Sequence, residues 1–316
     1  MMEPLFLKPV FQEKIWGGNR LNTVFGFDLP NDKIGEDWAI SGHPHGESIV
    51  ENGEFKGQKI SQLWKNQREL FGNQAGEVFP LLTKILDAED DLSVQVHPDD
   101  AYGMAHEGEL GKTECWYIIS AEPGASIVYG HNAKTREELA EMIHDEKWDQ
   151  LLRRIPVKAG DFYYVPSGTM HAIGKGIMIL ETQQSSDTTY RVYDYDRKDD
   201  QGKLRELHIQ QSIDVMTVPA TTPELQIKEV KKGNSAIITY LESDFFNIYE
   251  WQIMGELNLS QTSLYTLATV IEGYGEMTVE GKTFELNAGT SFIVPNQIKD
   301  WKIAGECKII ASTPQH

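Results

Sequence analysis

Two segments, Gly160-Asp161-Phe162-Tyr163-Tyr164-Val165-Pro166 and Gly289-Thr290-Ser291-Phe292-Ile293-Val294-Pro295, repeat one pattern: a glycine, a run of β-favouring residues and a closing proline. Glycine suits a tight turn, the aromatic and β-branched run suits a buried strand, and proline lacks the donor needed to continue a ladder. Five residues beyond the first proline stands His171; five beyond the second stands Asp300. The recurrence predicts one supersecondary unit used twice, with a histidine only in the first copy.

Working outward, other short runs have the same character. FPLLTKIL (79–86), LSVQVH (92–97), ECWYIIS (114–120), ASIVYG (125–130) and GIMILETQ (176–183) precede or follow the first unit. AIITYL (236–241), FNIYEWQI (246–253), LYTLATVI (264–271) and GEMTVEG (275–281) surround the second. Many short strands broken by Gly, Pro and Asp favour a sandwich or jelly roll over a parallel α/β sheet. Helix signals are few: ISQLWKNQRELFG (60–72), a Thr135-x-x-Glu138 capping box, and a stretch around 206–216. The Pro- and Thr-rich TVPATTPEL (217–225) marks a boundary. The expected architecture is mainly β, two jelly-roll lobes at 1–222 and 223–316 with a few inserted helices.

Composition narrows the partners. Of 316 residues, 29 are Lys or Arg and 48 Asp or Glu, for a net charge of −19. Such a chain has no general attraction for nucleic acid or an anionic membrane, so an anionic ligand would need a local cluster of cations. Cys115 and Cys307 are too few for a disulfide scaffold and fit a reducing compartment. No apolar run reaches the roughly 18 residues of a membrane span. The opening MMEPLFLKPVFQEK meets Pro4, Lys8 and Glu13 too early for a secretory signal. A cytoplasmic protein is expected.

The first lobe holds the chemistry. In LSVQVH, alternation puts Gln95 and His97 on one face and Leu92, Val94 and Val96 on the other. Two adjacent polar side chains are costly if buried without partners; a metal or substrate satisfies both, whereas a strand end at the surface needs neither. Glu114 shares a face with Trp116 and Ile118, with Lys112 two residues before it, a place also open to an ordinary salt bridge. His171 follows a strand-ending proline in a Gly-rich turn. Two imidazoles and a carboxylate, with Gln95 as a fourth, suit zinc with an open position and lie close to a non-haem iron triad. Any imidazole-bound metal belongs to this lobe, because only His316 lies beyond His208. Two motifs fail: GELGKT (108–113) has His106 where a phosphate-binding loop requires Gly, and His43-Pro44-His45 reads as a structural turn.

At these residues the chain resembles the class I mannose-6-phosphate isomerases (phosphomannose isomerases), zinc enzymes of the cupin fold. The resemblance covers nearly the whole chain and rests on EDWAISGHP, LLTKILDAEDDLSVQVHPDD, GKTECWY and GTMHAIGKGIMILETQQSSDTTYRVYDYDR. It implies two cupin-like lobes, one Zn2+ per chain and reversible conversion of mannose 6-phosphate to fructose 6-phosphate through an enediol. By motif it makes Gln95, His97, Glu114 and His171 the metal ligands, Arg191 the active-site arginine, Glu181 and Asp187 its accompanying acids, and Lys84 and Lys112 pocket lysines. Glu181 is favoured as proton carrier, with Lys112 or Asp187 as alternatives, and Lys84 and Asp187 are expected to bind substrate. Ile173 departs from longer members, which have tyrosine there. If 79–86 and 92–97 form a symmetric hairpin, Lys84 faces Gln95 and brings a cation to the ligand face. Two rivals share these residues: an iron oxygenase on the same triad, and a sugar-binding double cupin without catalysis.

Overall fold

A computed structural model describes residues 2–199 and 201–315, so His316 lies outside the described residues. The protein is mainly β, and three antiparallel sheets account for the strands of the described residues. In the first lobe a six-stranded sheet runs in the order Phe162–Val165, Glu114–Ala121, Ile177–Gln184, Leu81–Ala88, Phe11–Gly18, Ile34–Ser41. A five-stranded sheet runs Tyr190–Tyr193, Val94–Val96, His171–Ala172, Ser126–His131, Leu152–Pro156. Leu86, Trp116, Ile118 and Ile179 of the larger sheet pack with Ile127 and Tyr129 of the smaller and with Ile173 and Leu92 just outside its strands, forming the interior of a sandwich. Leu92, expected on the face of Val94 and Val96, precedes the strand and turns the other way.

Alternation decides what each strand sends inward. Val94 and Val96 pack on the outer side with Leu139, Ile143 and Met216, where the helices Arg136–His144 and Ile209–Val215 cover the five-stranded sheet. Gln95 therefore takes the inner face, and His97 follows it just past the strand end. Half of the expected capping box forms: Thr135 Oγ1 accepts from Glu138 N at 3.2 Å, but Glu138 Oε2 takes the backbone N–H of Lys134, one residue before the cap, at 2.6 Å. The 60–72 signal resolves into the helix Ile60–Asn66 and a 3₁₀ turn Arg68–Phe71, and the 206–216 signal into Ile209–Val215.

The third sheet has nine strands, and its backbone is the pairing of Phe246–Ser260 with Asp300–Pro314 in unbroken register from Phe246↔Pro314 to Ser260↔Asp300. The runs at 264–271 and 275–281 are not two strands but one, Thr266–Val279, which passes through Gly273 and Gly275 with a bulge after Val270. Leu5–Lys8 pairs with Ser291–Val294, so the N-terminal segment adds a strand to the sheet of residues 228–314. The six-stranded and nine-stranded sheets share a core in which Leu81, Cys115, Tyr117 and Leu180 meet Phe246, Ile248, Tyr265 and Ile310.

Both copies of the repeated segment form strands, Phe162–Val165 and Ser291–Val294. Their leading glycines take φ +87° and +90°, a left-handed turn open to glycine at little cost. After each closing proline a strand starts, at His171 and at Asp300.

One expected pairing is absent. Leu81–Ala88 pairs with Ile177–Gln184 and Ile34–Ser41, and Val94–Val96 belongs to the opposite sheet. The chain crosses between sheets at 89–93 instead of folding back, so Lys84 is not the register partner of Gln95. Its partners are Glu181 and Trp38, and Gln95 pairs with His171 and Arg191. The hairpin argument allowed one sheet only; the sandwich brings the two residues together from opposite walls.

Candidate active site

Each wall of the sandwich contributes a row of side chains in register. Across the six-stranded sheet run Trp38, Lys84, Glu181 and Trp116; across the five-stranded sheet run Arg191, Gln95 and His171. Adjacent antiparallel strands hold directly opposed side chains about 5 Å apart, so each row is a fixed array and not a set of mobile loops.

Where the rows meet, His97, Glu114 and His171 are buried, and one ligand atom from each lies within 4.8 Å of the others. His97 Nε2 is 3.4 Å from Glu114 Oε2, and His171 Nε2 is 3.3 Å from Glu114 Oε1. The other ring nitrogens are engaged by backbone carbonyls: His97 Nδ1 lies 2.9 Å from Thr188 O and His171 Nδ1 2.8 Å from Thr169 O. A carbonyl accepts only, so both Nδ1 atoms carry the proton and both Nε2 atoms present lone pairs. Burial, reinforced by Lys112, drives the His97 pKa down to about 3, and burial lowers that of His171, so both rings are neutral. Burial opposes ionisation of Glu114, but Lys112 and the imidazoles overcome it and hold its carboxyl well below the ordinary range.

Two lone pairs facing a carboxylate repel one another unless a cation stands among them. The Lys112 ammonium meets part of this need, 2.9 Å from His97 Nε2 and hydrogen-bonded to Glu114 Oε2. His171 Nε2 remains buried without a hydrogen-bond partner. Two neutral imidazoles, an ionised carboxylate and an orphaned inward nitrogen fit a divalent metal ion. Gln95, register partner of His171, lines the adjoining cavity beside this trio.

That cavity collects the remaining expected residues: Lys84, Lys112, Glu181, Asp187 and Arg191 all line it. Glu181 Oε1 is 3.8 Å from Lys84 Nζ and 3.9 Å from Lys112 Nζ, and its Oε2 accepts from Trp116 Nε1 at 3.1 Å. The same indole N–H lies 3.1 Å from Glu114 Oε1, so it spans the metal ligand and Glu181. Burial and the charge of Glu114 outweigh both lysines and raise Glu181 to about 7. Although burial disfavours the Lys112 ammonium, Glu114 and Glu181 raise its pKa, so it stays charged. Arg191 Nε reaches Ser93 Oγ at 3.3 Å and an Nη reaches Glu206 O at 2.9 Å. Asp187 sits at the rim, its Oδ2 2.9 Å from Nδ1 of the exposed His45.

The sequence reading missed part of the lining: Lys14, Glu36, Ser93 and Arg205. Glu36 lies 3.3 Å from Lys14 and 3.8 Å from Lys84, and despite its burial these lysines lower it to about 2. Period two in LSVQVH puts Ser93 with Gln95 and His97, a signal that was there to use. Nothing periodic marks Arg205; Asp194 holds it through Nε and an Nη at 2.8 and 2.6 Å. Five cationic side chains against three carboxylates make the cavity locally positive inside a chain of charge −19.

Comparisons with known proteins agree with this geometry. The family model "Phosphomannose isomerase type I, catalytic domain" matches residues 5–119, and "Mannose-6-phosphate isomerase, cupin domain" matches 236–314. The mannose-6-phosphate isomerase of Streptococcus mutans is 58% identical over 99% of this chain and 98% of its own. The mannose-6-phosphate isomerase ManA of Bacillus subtilis is 51% identical over 98% of each chain. A crystal structure of the mannose 6-phosphate isomerase from Bacillus subtilis superposes with a TM-score of 0.97 at 48% identity, covering 99% of this chain and all of that one.

Proposed function

The chain belongs to the type I phosphomannose isomerase family, and on that premise we propose which of its residues carry the interconversion of mannose 6-phosphate and fructose 6-phosphate. The activity is an aldose–ketose isomerisation through an enediol on a phosphorylated sugar. It needs a group that moves a proton between C2 and C1, charge to stabilise the developing oxyanion, and cations to hold the phosphate.

One observation carries the assignment: two neutral imidazoles and an ionised carboxylate converge beside a cavity in which Glu181, bridged to that carboxylate by the Trp116 indole, has a pKa near neutrality. His97, Glu114 and His171, with Gln95 alongside, would hold one Zn2+ per chain. When bound, the ion supplies Lewis-acid polarisation of the substrate oxygens.

The proton carrier is Glu181. A carboxyl near pKa 7 exchanges protons in either direction at working pH, and Trp116 and the two lysines fix its oxygens. Lys112 is a poorer candidate because its neighbours keep it protonated; it serves as a fixed positive charge. Asp187 is a poorer one too, tied to His45 at the rim, where it suits a sugar hydroxyl. Arg191 offers a guanidinium fork to substrate oxygens, and Lys84 adds a second cation from the opposite wall. The oxygenase and the non-catalytic double cupin find no support among the relatives, which carry isomerase names.

No described helix is long and apolar enough to cross a membrane. The two buried free cysteines support a reducing, cytoplasmic setting. The test is a coupled assay with mannose 6-phosphate before and after chelation, with metal analysis. Turnover should disappear with the metal and return with one equivalent of Zn2+; undiminished turnover in metal-free protein would overturn the assignment.

A further inference from the structure

Two residues of motifs set aside in the sequence remain without a role, His43 of His43-Pro44-His45 and Glu109 of GELGKT, and the fold brings them together. Glu109 of GELGKT projects toward the loop Ser186-Asp187-Thr188. Its Oε2 accepts from Asp187 N at 3.1 Å, Ser186 Oγ at 3.1 Å and Thr188 Oγ1 at 3.0 Å. Its Oε1 lies 3.3 Å from His43 Nε2. His43 Nδ1 accepts from the backbone N–H of His45 at 3.2 Å, which leaves the His43 proton on Nε2, directed at Glu109. One carboxylate thus takes three donors from three consecutive residues and a fourth from a buried imidazole.

The gathered loop is the one that orients a metal ligand. Thr188 supplies the carbonyl that accepts from His97 Nδ1 at 2.9 Å. That bond fixes both the tautomer and the plane of the ring, and so the direction of its Nε2 lone pair. The Thr188 hydroxyl meets Glu109 while its carbonyl meets His97, so displacing one displaces the other. Glu109 and Lys112 also share a short segment pinned to its surroundings, with Gly111 N donating to Asp100 Oδ1 at 2.8 Å and Lys112 N to Pro98 O at 3.0 Å.

We propose that Glu109 is a positioning residue for the metal centre: backed by His43, it clamps the 186–188 loop so that the Thr188 carbonyl holds His97 in its ligating orientation. Glu109 touches none of the metal trio and does not itself line the cavity; its route to the site is the loop it holds. The inference rests on His97 being a metal ligand, as assigned above.

The test measures Zn2+ affinity by competition with a chromophoric chelator in Glu109→Ala, Thr188→Val and the double variant, with His97→Ala in parallel and folding checked by circular dichroism. Outer-shell partners of a ligating histidine are typically worth about 10- to 100-fold in affinity. Glu109→Ala should weaken Zn2+ binding by at least about tenfold. Thr188→Val should lose less, and the double variant should be no weaker than Glu109→Ala. At saturating Zn2+, kcat should recover toward the parent while the weaker affinity persists, a split that a general loss of stability would not produce. If Glu109→Ala fails to fold, Thr188→Val alone decides. Affinity within twofold of the parent in folded Glu109→Ala, or in Thr188→Val when that is the sole readable variant, overturns the proposal, as does strict additivity. If His97→Ala keeps full affinity, the ligand assignment fails instead, and the two failures are thereby told apart.

Discussion

Lys84 and Glu181 are register partners on adjacent antiparallel strands, and their charged ends stand 3.8 Å apart with both residues buried. Lys84 Nζ is also 3.8 Å from Glu36 and lies over the Trp38 ring at 4.8 Å. The ammonium is thus held by neighbours other than Glu181, and its position does not depend on the state of that acid. A cation so placed stabilises the carboxylate form of Glu181 against the burial that raises it.

Removing that charge therefore has a defined sign. In Lys84→Met, Glu181 loses a stabilising cation and its pKa rises above the parent value of about 7. The acid limb of the kcat/KM profile, which reports ionisation of the free enzyme, should move to higher pH by about one unit. A limb that stays in place, or moves down, would separate Lys84 from the proton carrier. KM for the phosphorylated sugar should rise in the same variant.

His97→Ala and His171→Ala each delete one of two neutral imidazoles aimed at Glu114. The expected result is loss of bound metal together with loss of turnover, measured by metal analysis of the purified protein. Their secondary structure should persist, because the surrounding strands are held by backbone ladders and an apolar core that these rings meet only at the edge of Trp116. Full occupancy in either variant would refute the ligand set.

Arg191→Ala should separate binding of the ion from catalysis. Arg191 sits in the same row as Gln95 and His171 but touches Ser93 and the Glu206 carbonyl and none of the metal trio. Metal content should hold, while kcat falls by about 100- to 1000-fold, the usual worth of one donor to a developing charge. Arg191→Lys should restore little, since an ammonium cannot reproduce the planar fork. Near-normal turnover in Arg191→Ala would remove it from the mechanism.

How much of this was legible beforehand follows from periodicity. Alternation in LSVQVH and ECWY put Gln95 with His97 on one face and Glu114 on the face of Trp116, and the structure turns those faces inward. His171, expected in a Gly-rich turn, instead starts the strand His171–Ala172. Alternation is local, however, and does not say which strand lies beside which. That is why Lys84 was matched to Gln95 through a hairpin when Glu181 is its register partner. The same limit hid Glu36, whose link to Lys84 depends on Ile34–Ser41 lying next to Leu81–Ala88. Glu109 was read as part of a failed phosphate loop because its partners lie about 77 residues away along the chain.

Asp37 offers a test of stability away from the site. It is almost wholly buried; its Oδ1 accepts from Val10 N at 3.2 Å, and its Oδ2 has no hydrogen-bond partner. Burial raises its pKa from 3.8 to about 7, with the Val10 N–H only partly opposing. The folded protein therefore binds a proton that the unfolded chain releases near pH 3.8, so its contribution is full below that pH and is lost as pH rises through about 7. Asp37→Asn keeps the shape and the acceptor for Val10 without titrating. Relative to this variant, the parent should lose up to about 4 kcal/mol of unfolding free energy across the window. Urea denaturation of both proteins at pH 4 and pH 8 measures the difference: a gap that widens toward pH 8 in favour of Asp37→Asn is expected. A gap independent of pH would mean that Asp37 is ionised in the folded protein and has a compensating partner.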